Sequence, residues 1–125
     1  MKSDGKPHRK LKVWQAGMDF VVELYRELEN FPAREQFGLT AQLRRAAVSI
    51  PSNIAEGAAR KNTKELVQFL YIARGSLSEL DTQLEICFRV GRLEKAVAVY
   101  DHLANKLEEM SMMLNGLIAS LAKKI

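Results

Sequence analysis

The sequence predicts an all-α protein: an antiparallel up-down-up-down four-helix bundle whose second helix is kinked at a proline. Apolar residues along most of the chain recur at alternating intervals of three and four, as in helices that share a narrow seam, and nothing alternates with period two. Capping and helix-breaking residues divide that pattern into four stretches. At 125 residues the chain fits one domain. The expected division is a flexible basic leader over 1–11 and a single bundle domain over 12–125.

The first stretch places Trp14, Met18, Val21, Tyr25 and Leu28 on its seam, and Phe31 before Pro32 ends it, because a residue preceding proline is pushed out of the α region. The second, from Leu39 to about Ala59, contains Pro51. Even so, Leu39, Leu43, Ala46, Ala47, Ile50, Ile54, Gly57 and Ala58 fall within roughly 120° on a helical wheel. One apolar stripe therefore passes through the proline, which predicts a kink and not two helices. The third stretch starts at Asn62, with Glu65 three residues on, and carries Leu66, Leu70, Ala73, Leu77, Leu80, Leu84 and Cys87 towards a C-cap at Gly91. The fourth carries Leu93, Ala96, Tyr100, Leu103, Leu107, Met110, Leu114, Leu117 and Leu121 and ends in Lys123 and Lys124, which favour a helix C-terminus.

Apolar residues also lie outside these seams: Val13, Phe20 and Leu24; Val67, Phe69 and Ile72; Val99, Met112, Met113 and Ile118. Either the core stripes are wide or the chain has a second buried face, most simply a homo-oligomer interface.

The net charge is +4, but Lys2, Lys6, Arg9, Lys10 and Lys12 against Asp4 account for all of it, and residues 13–125 are balanced. The basic composition is thus weak evidence for a polyanionic ligand. One cysteine excludes an internal disulfide, and no run approaches the ~18 apolar residues of a membrane span. The N-terminus lacks the apolar core of a secretory signal, so the expected location is the cytoplasm, with no membrane partner.

Catalytic patterns are missing from the sequence. Cys87 sits on a seam, where a thiol behaves as a small hydrophobe. His102 has Val99 three residues before it, so the Glu-x-x-His pair of a di-iron bundle is not formed. Gly75 and Ser76 lack the second glycine of a nucleophile elbow, and no glycine-rich phosphate loop occurs. Asp19, Glu23 and Glu27 read as a solvated helix face. The expectation is a protein that is not an enzyme, with no cofactor, no metal and no small-molecule substrate.

The remaining signal lies in residues 34–64, where Arg34, Arg44, Arg45, Arg60, Lys61 and Lys64 stand against Glu35 and Glu56. Gln42, Arg45, Ser49, Ser52, Glu56 and Arg60 share the wheel face opposite the apolar stripe, a strip suited to phosphate contact. Arg44, Arg45, Arg60, Lys61, Lys64, Gln42 and Asn53 are the candidate nucleic-acid or partner contacts. Ion pairing explains part of this strip equally well, since Glu56 precedes Arg60 by one helical turn.

Residues 42–57 read QLRRAAVSIPSNIAEG and residues 69–80 read FLYIARGSLSEL. With Leu11 to Trp14, Phe31-Pro32 and Phe37 to Leu39, they resemble the four-helix-bundle family encoded in intervening sequences of bacterial 23S rRNA genes. That family is similar to the accessory protein of diversity-generating retroelements, which partners a reverse transcriptase and nucleic acid. The resemblance implies a bundle assembled into a ring-like homopentamer, with Pro51, Ser49, Ser52, Asn53, Glu56 and Gly57 as its motif beside Arg44 and Arg45, and no catalytic residue. Two functional expectations follow: a homo-oligomeric bundle that binds RNA or a nucleic-acid-processing protein through its basic second helix, or an oligomeric scaffold with no nucleic-acid ligand.

Overall fold

The computed structural model describes residues 5–29, 38–90 and 97–125. They form a short 3-10 turn, Pro7–Lys10, and four helices: α1 (Lys12–Leu28), α2 (Leu39–Ala58), α3 (Thr63–Arg89) and α4 (Val97–Ala122). The described residues include no strand. The expectations at Phe31-Pro32, Arg34, Phe37, Gly91, Leu93 and Ala96 fall outside the described residues.

Local chemistry sets α3. Asn62 has extended backbone, and its side-chain oxygen accepts the Glu65 backbone N–H at 2.9 Å, satisfying one of the helix's orphan donors. α2 runs uninterrupted through Pro51, although the proline nitrogen offers no hydrogen to the Ala47 carbonyl. The proline is buried against α1 at Gly17, where a Cβ would stand 3.5 Å from Pro51 Cδ.

α1 packs on α2 and α4, and α3 on α2 and α4, so the helices close a ring of four around one core. Contacts between neighbours run in opposite senses. Along α2, Gln42 meets Gln83, Ser49 meets Ser76 and Gly57 meets Phe69 and Leu66. Between α3 and α4, Arg74 meets Asn115 and Phe88 meets Tyr100. Each pair is therefore antiparallel, and the start of α1, end of α2, start of α3 and end of α4 lie at one end of the bundle.

Leu24, Leu43, Ile50, Ile54, Leu70, Leu80, Leu84, Leu103, Met110 and Leu114 are fully buried. Their burial supplies the main stabilisation, at about 1.5 to 3 kcal/mol for each large aliphatic side chain. The expected stripes of α2 and α3 are the buried ones, with Cys87 fully enclosed. On α1 the expectation is corrected: the core stripe is Val13, Gly17, Phe20, Leu24 and Leu28. Of the expected seam only Leu28 is buried, while Met18 and Tyr25 are each 41% exposed. α1 carries two apolar stripes about one residue apart, and spacing does not choose between them. Packing does: the stripe that includes Gly17 meets Ile50 and Pro51 of α2. Val67 and Ile118, placed outside the seams from sequence, are also buried; Ile72, Met112 and Met113 are exposed.

Candidate nucleic-acid interface

The polar strip of α2 divides among three surroundings. Towards α3, Ser49 Oγ lies 2.7 Å from Ser76 Oγ, and Asn53 Nδ2 donates to the Ser49 carbonyl at 2.8 Å and to Ser49 Oγ at 2.9 Å. Gln83 Nε2 donates to Gln42 Oε1 at 3.4 Å, from a buried position on α3. The Ser49–Ser76 and Gln42–Gln83 contacts tie α2 to α3, and Asn53 donates its amide hydrogens back to Ser49 one turn earlier in α2. Below them Gly57 allows the closest approach of the two helices: a Cβ there would stand 2.7 Å from Phe69 Cβ and 3.2 Å from the Leu66 carbonyl oxygen. Of the motif, Ser49 and Gly57 thus meet α3 and Pro51 meets α1, while Ser52 and Glu56 are exposed.

Towards α1, the Arg44 guanidinium lies over the Tyr25 ring, 5.4 Å from its centroid. Towards solvent, Arg45, Ser52, Lys61 and Lys64 are exposed, and Arg45, Lys61 and Lys64 have no carboxylate partner among the described residues. Arg60 is 3.6 Å from Glu56 and 4.8 Å from the Phe69 ring centroid, so the ion pair foreseen from spacing is present. The pair is exposed and worth at most a few tenths of a kcal/mol. Of the seven candidate contacts, Arg45, Arg60, Lys61 and Lys64 remain available to a ligand, while Arg44 lies over Tyr25 of α1, Gln42 is exposed with its Oε1 turned to Gln83 of α3, and Asn53 bonds within α2.

The basic leader lies against this same helix. Pro7–Lys10 packs on α1 and α2, with the His8 ring edge-on to Trp14 at 4.8 Å, Arg9 5.4 Å from the Trp14 centroid and Gln15 Nε2 donating to the Arg9 carbonyl at 2.7 Å. Lys6, Pro7 and His8 line one depression with Ser52, Glu56 and Ala59. Sequence reasoning treated these segments separately because nearly fifty residues divide them.

Two further features come from tertiary packing. His102 Nε2 sits 2.5 Å from Glu23 Oε1, joining α4 to α1 where the sequence suggested only a solvated acidic face. Tyr100 stacks on Phe88 at 4.4 Å, and burial first, then Glu85, Asp81 and Asp101, pushes its hydroxyl pKa above the ordinary value. Among the described residues no group of three His, Cys, Asp or Glu gathers as a metal site, and no helix is long and apolar enough to cross a membrane.

Four amphipathic helices around one core, joined by a polar α2–α3 seam and carrying cations on an exposed face, define a small helical-bundle protein. The chain belongs to the 23S rRNA-intervening sequence protein family, whose model matches residues 9–116. The fold is also similar to a protein of unknown function from the S23 ribosomal protein family of Bacteroides thetaiotaomicron. That match has a TM-score of 0.76 and 24% identity, over 86% of this chain and 95% of that one. No protein of curated function matches the chain.

Proposed function

We propose that the chain is a non-enzymatic cytoplasmic bundle that self-associates and binds RNA through the cations of α2 and the turn after it. The observation that carries the RNA reading is the exposure of Arg45, Arg60, Lys61 and Lys64 on one side of the molecule, three of them without carboxylate partners among the described residues. The family's description, which ties it to 23S rRNA intervening sequences, makes structured rRNA the first ligand to try. Self-association is supported by the stripe that α1 leaves outside the core: Trp14, Met18 and Val21 border a groove completed by Val48, Pro51 and Ala55. A second copy of the chain is its proposed occupant, and the resemblance noted above suggests a ring of five.

Titration of labelled 23S rRNA fragments at several salt concentrations tests the RNA reading. Binding should weaken steeply with salt, and Arg44→Ala, Arg45→Ala and Arg60→Ala combined should weaken it further. No binding at low salt rejects the reading. Light scattering tests assembly: a stable 14.1 kDa species at micromolar concentration rejects it. The second reading, an oligomeric scaffold without nucleic acid, draws on the engagement of Arg44 with Tyr25 and of Arg60 with Glu56.

A further inference from the structure

The antiparallel order of the helices collects positive charge that is dispersed along the chain. The start of α1, the end of α2, the start of α3 and the end of α4 share one end of the bundle, and each brings exposed cations to it. Lys6 and Lys10 come from the leader turn, which packs on α2 beside Ser52 and Ala59, and Lys12 opens α1. Arg60, Lys61 and Lys64 come from the α2–α3 turn. Lys123 and Lys124 follow α4. The carboxylates described at this end are Glu56, already beside Arg60, and Glu65, whose backbone N–H caps against Asn62.

Among the described residues the other half is more mixed: Glu23 and Glu27 of α1, Glu29 after it, Asp81 and Glu85 of α3 and Asp101 of α4 stand there with Arg26, Arg44, Arg45 and Arg89, and Arg89 is 2.6 Å from Glu85. The described residues thus concentrate cations over carboxylates at the first end, which a polyanion meets with attraction.

Resting on the RNA reading above, we infer that the phosphate-binding surface extends from the α2–α3 turn across this four-segment end of the bundle, so that most of its phosphate contacts come from the leader, the turn and the end of α4 and not from the flank of α2 around Arg44 and Arg45. Its ligand is an RNA backbone read by charge. Lysines supply strongly hydrated point charges without the rigid fork that arginine uses for bidentate contacts, and no exposed aromatic ring among the described residues stands within the cluster as a stacking platform. A lipid surface fits less well, because membrane-surface binding uses apolar side chains among the lysines. Apart from Ile125, the large exposed apolar groups lie along the flanks of the bundle.

The test uses the full chain and a labelled rRNA hairpin, with affinity measured by anisotropy across a salt series. One variant combines Lys6→Gln, Lys10→Gln and Lys12→Gln; a second combines Lys123→Gln and Lys124→Gln; a third combines Arg44→Ala and Arg45→Ala. Circular dichroism verifies the fold of each. The slope of log affinity against log salt should fall by about 2 in the first and about 1.5 in the second, at about 0.7 to 0.9 per lost phosphate contact, and by less than about 1 in the third, where only Arg45 is lost from the exposed cations. Unchanged slopes in the first two with a loss in the third overturn this placement while leaving RNA binding intact. An unmodified protein that fails to bind the hairpin at low salt overturns the RNA reading itself, and binding of phosphatidylserine vesicles without RNA binding overturns the choice of ligand.

Discussion

Two glycines show how single residues set the bundle's geometry. At Gly57 a Cβ would stand 2.7 Å from Phe69 Cβ, a distance no pair of carbons tolerates, and the Leu66 backbone on the same side cannot yield as a side-chain tip can. Gly57→Ala must therefore push α2 and α3 apart, at a cost of about 1 to 3 kcal/mol. At Gly17 the corresponding distance to Pro51 is 3.5 Å, an ordinary contact. Gly17→Ala should fold and gain up to about 1 kcal/mol of helix propensity. Thermal melts distinguish the two, with Tm falling for Gly57→Ala and holding or rising for Gly17→Ala. An equal fall in both would show that Gly17 packs more tightly than its geometry indicates. The sequence placed Gly57 on the apolar stripe of α2, but the neighbours that set the tolerance of each glycine lie on other helices.

At the scale of elements, α3 is held at its two ends by different chemistry. Its start depends on the Asn62 cap, so Asn62→Ala should lower stability by about 1 kcal/mol in chemical denaturation, with Asn62→Asp retaining most of it. This cap was legible from the Asn62 and Glu65 spacing because it is local. Near its other end α3 meets α4 through Phe88 and Tyr100. Folding raises the Tyr100 pKa above its ordinary value of 10.0, so the fold favours the protonated phenol. That contribution is complete below the unfolded value and is lost as pH rises through the folded one. Stability should fall above about pH 10, and Tyr100→Phe should reduce that fall while keeping the ring stack. An identical alkaline profile for the variant would assign the fall to other groups. The middle of α3 is tied to α2 by Ser49 and Ser76. The sequence placed Ser49 with exposed arginines because a wheel drawn for one helix shows where the apolar face is, but not where the neighbouring helices stop covering it.

At the scale of the molecule, the apolar surface of α1 predicts assembly. Met18 and Val48 are exposed on the groove between α1 and α2, so Met18→Glu with Val48→Glu leaves the core intact. The pair should lower the mass seen by light scattering while the melt of the separate chain stays cooperative. An unchanged mass would move the interface to another face. The same stripe shows the limit of periodicity: the sequence revealed an apolar surplus on α1, and packing decided which of its two stripes turned inward.

The sequence by itself determined the four helices, their approximate extents, the buried stripes of α2 and α3 and the cap of α3. All of these follow from interactions within a few residues or from apolar spacing along one helix. Only the tertiary structure decided the inward face of α1, the contacts of Ser49, Gln42 and Arg44 with neighbouring helices, and the gathering of dispersed lysines at one end. Those depend on which surfaces meet across helices, where separation along the chain gives no measure of distance. Counted along the chain, the leader, the turn after α2 and the last residues were separate basic segments; folded, they share one end of the bundle.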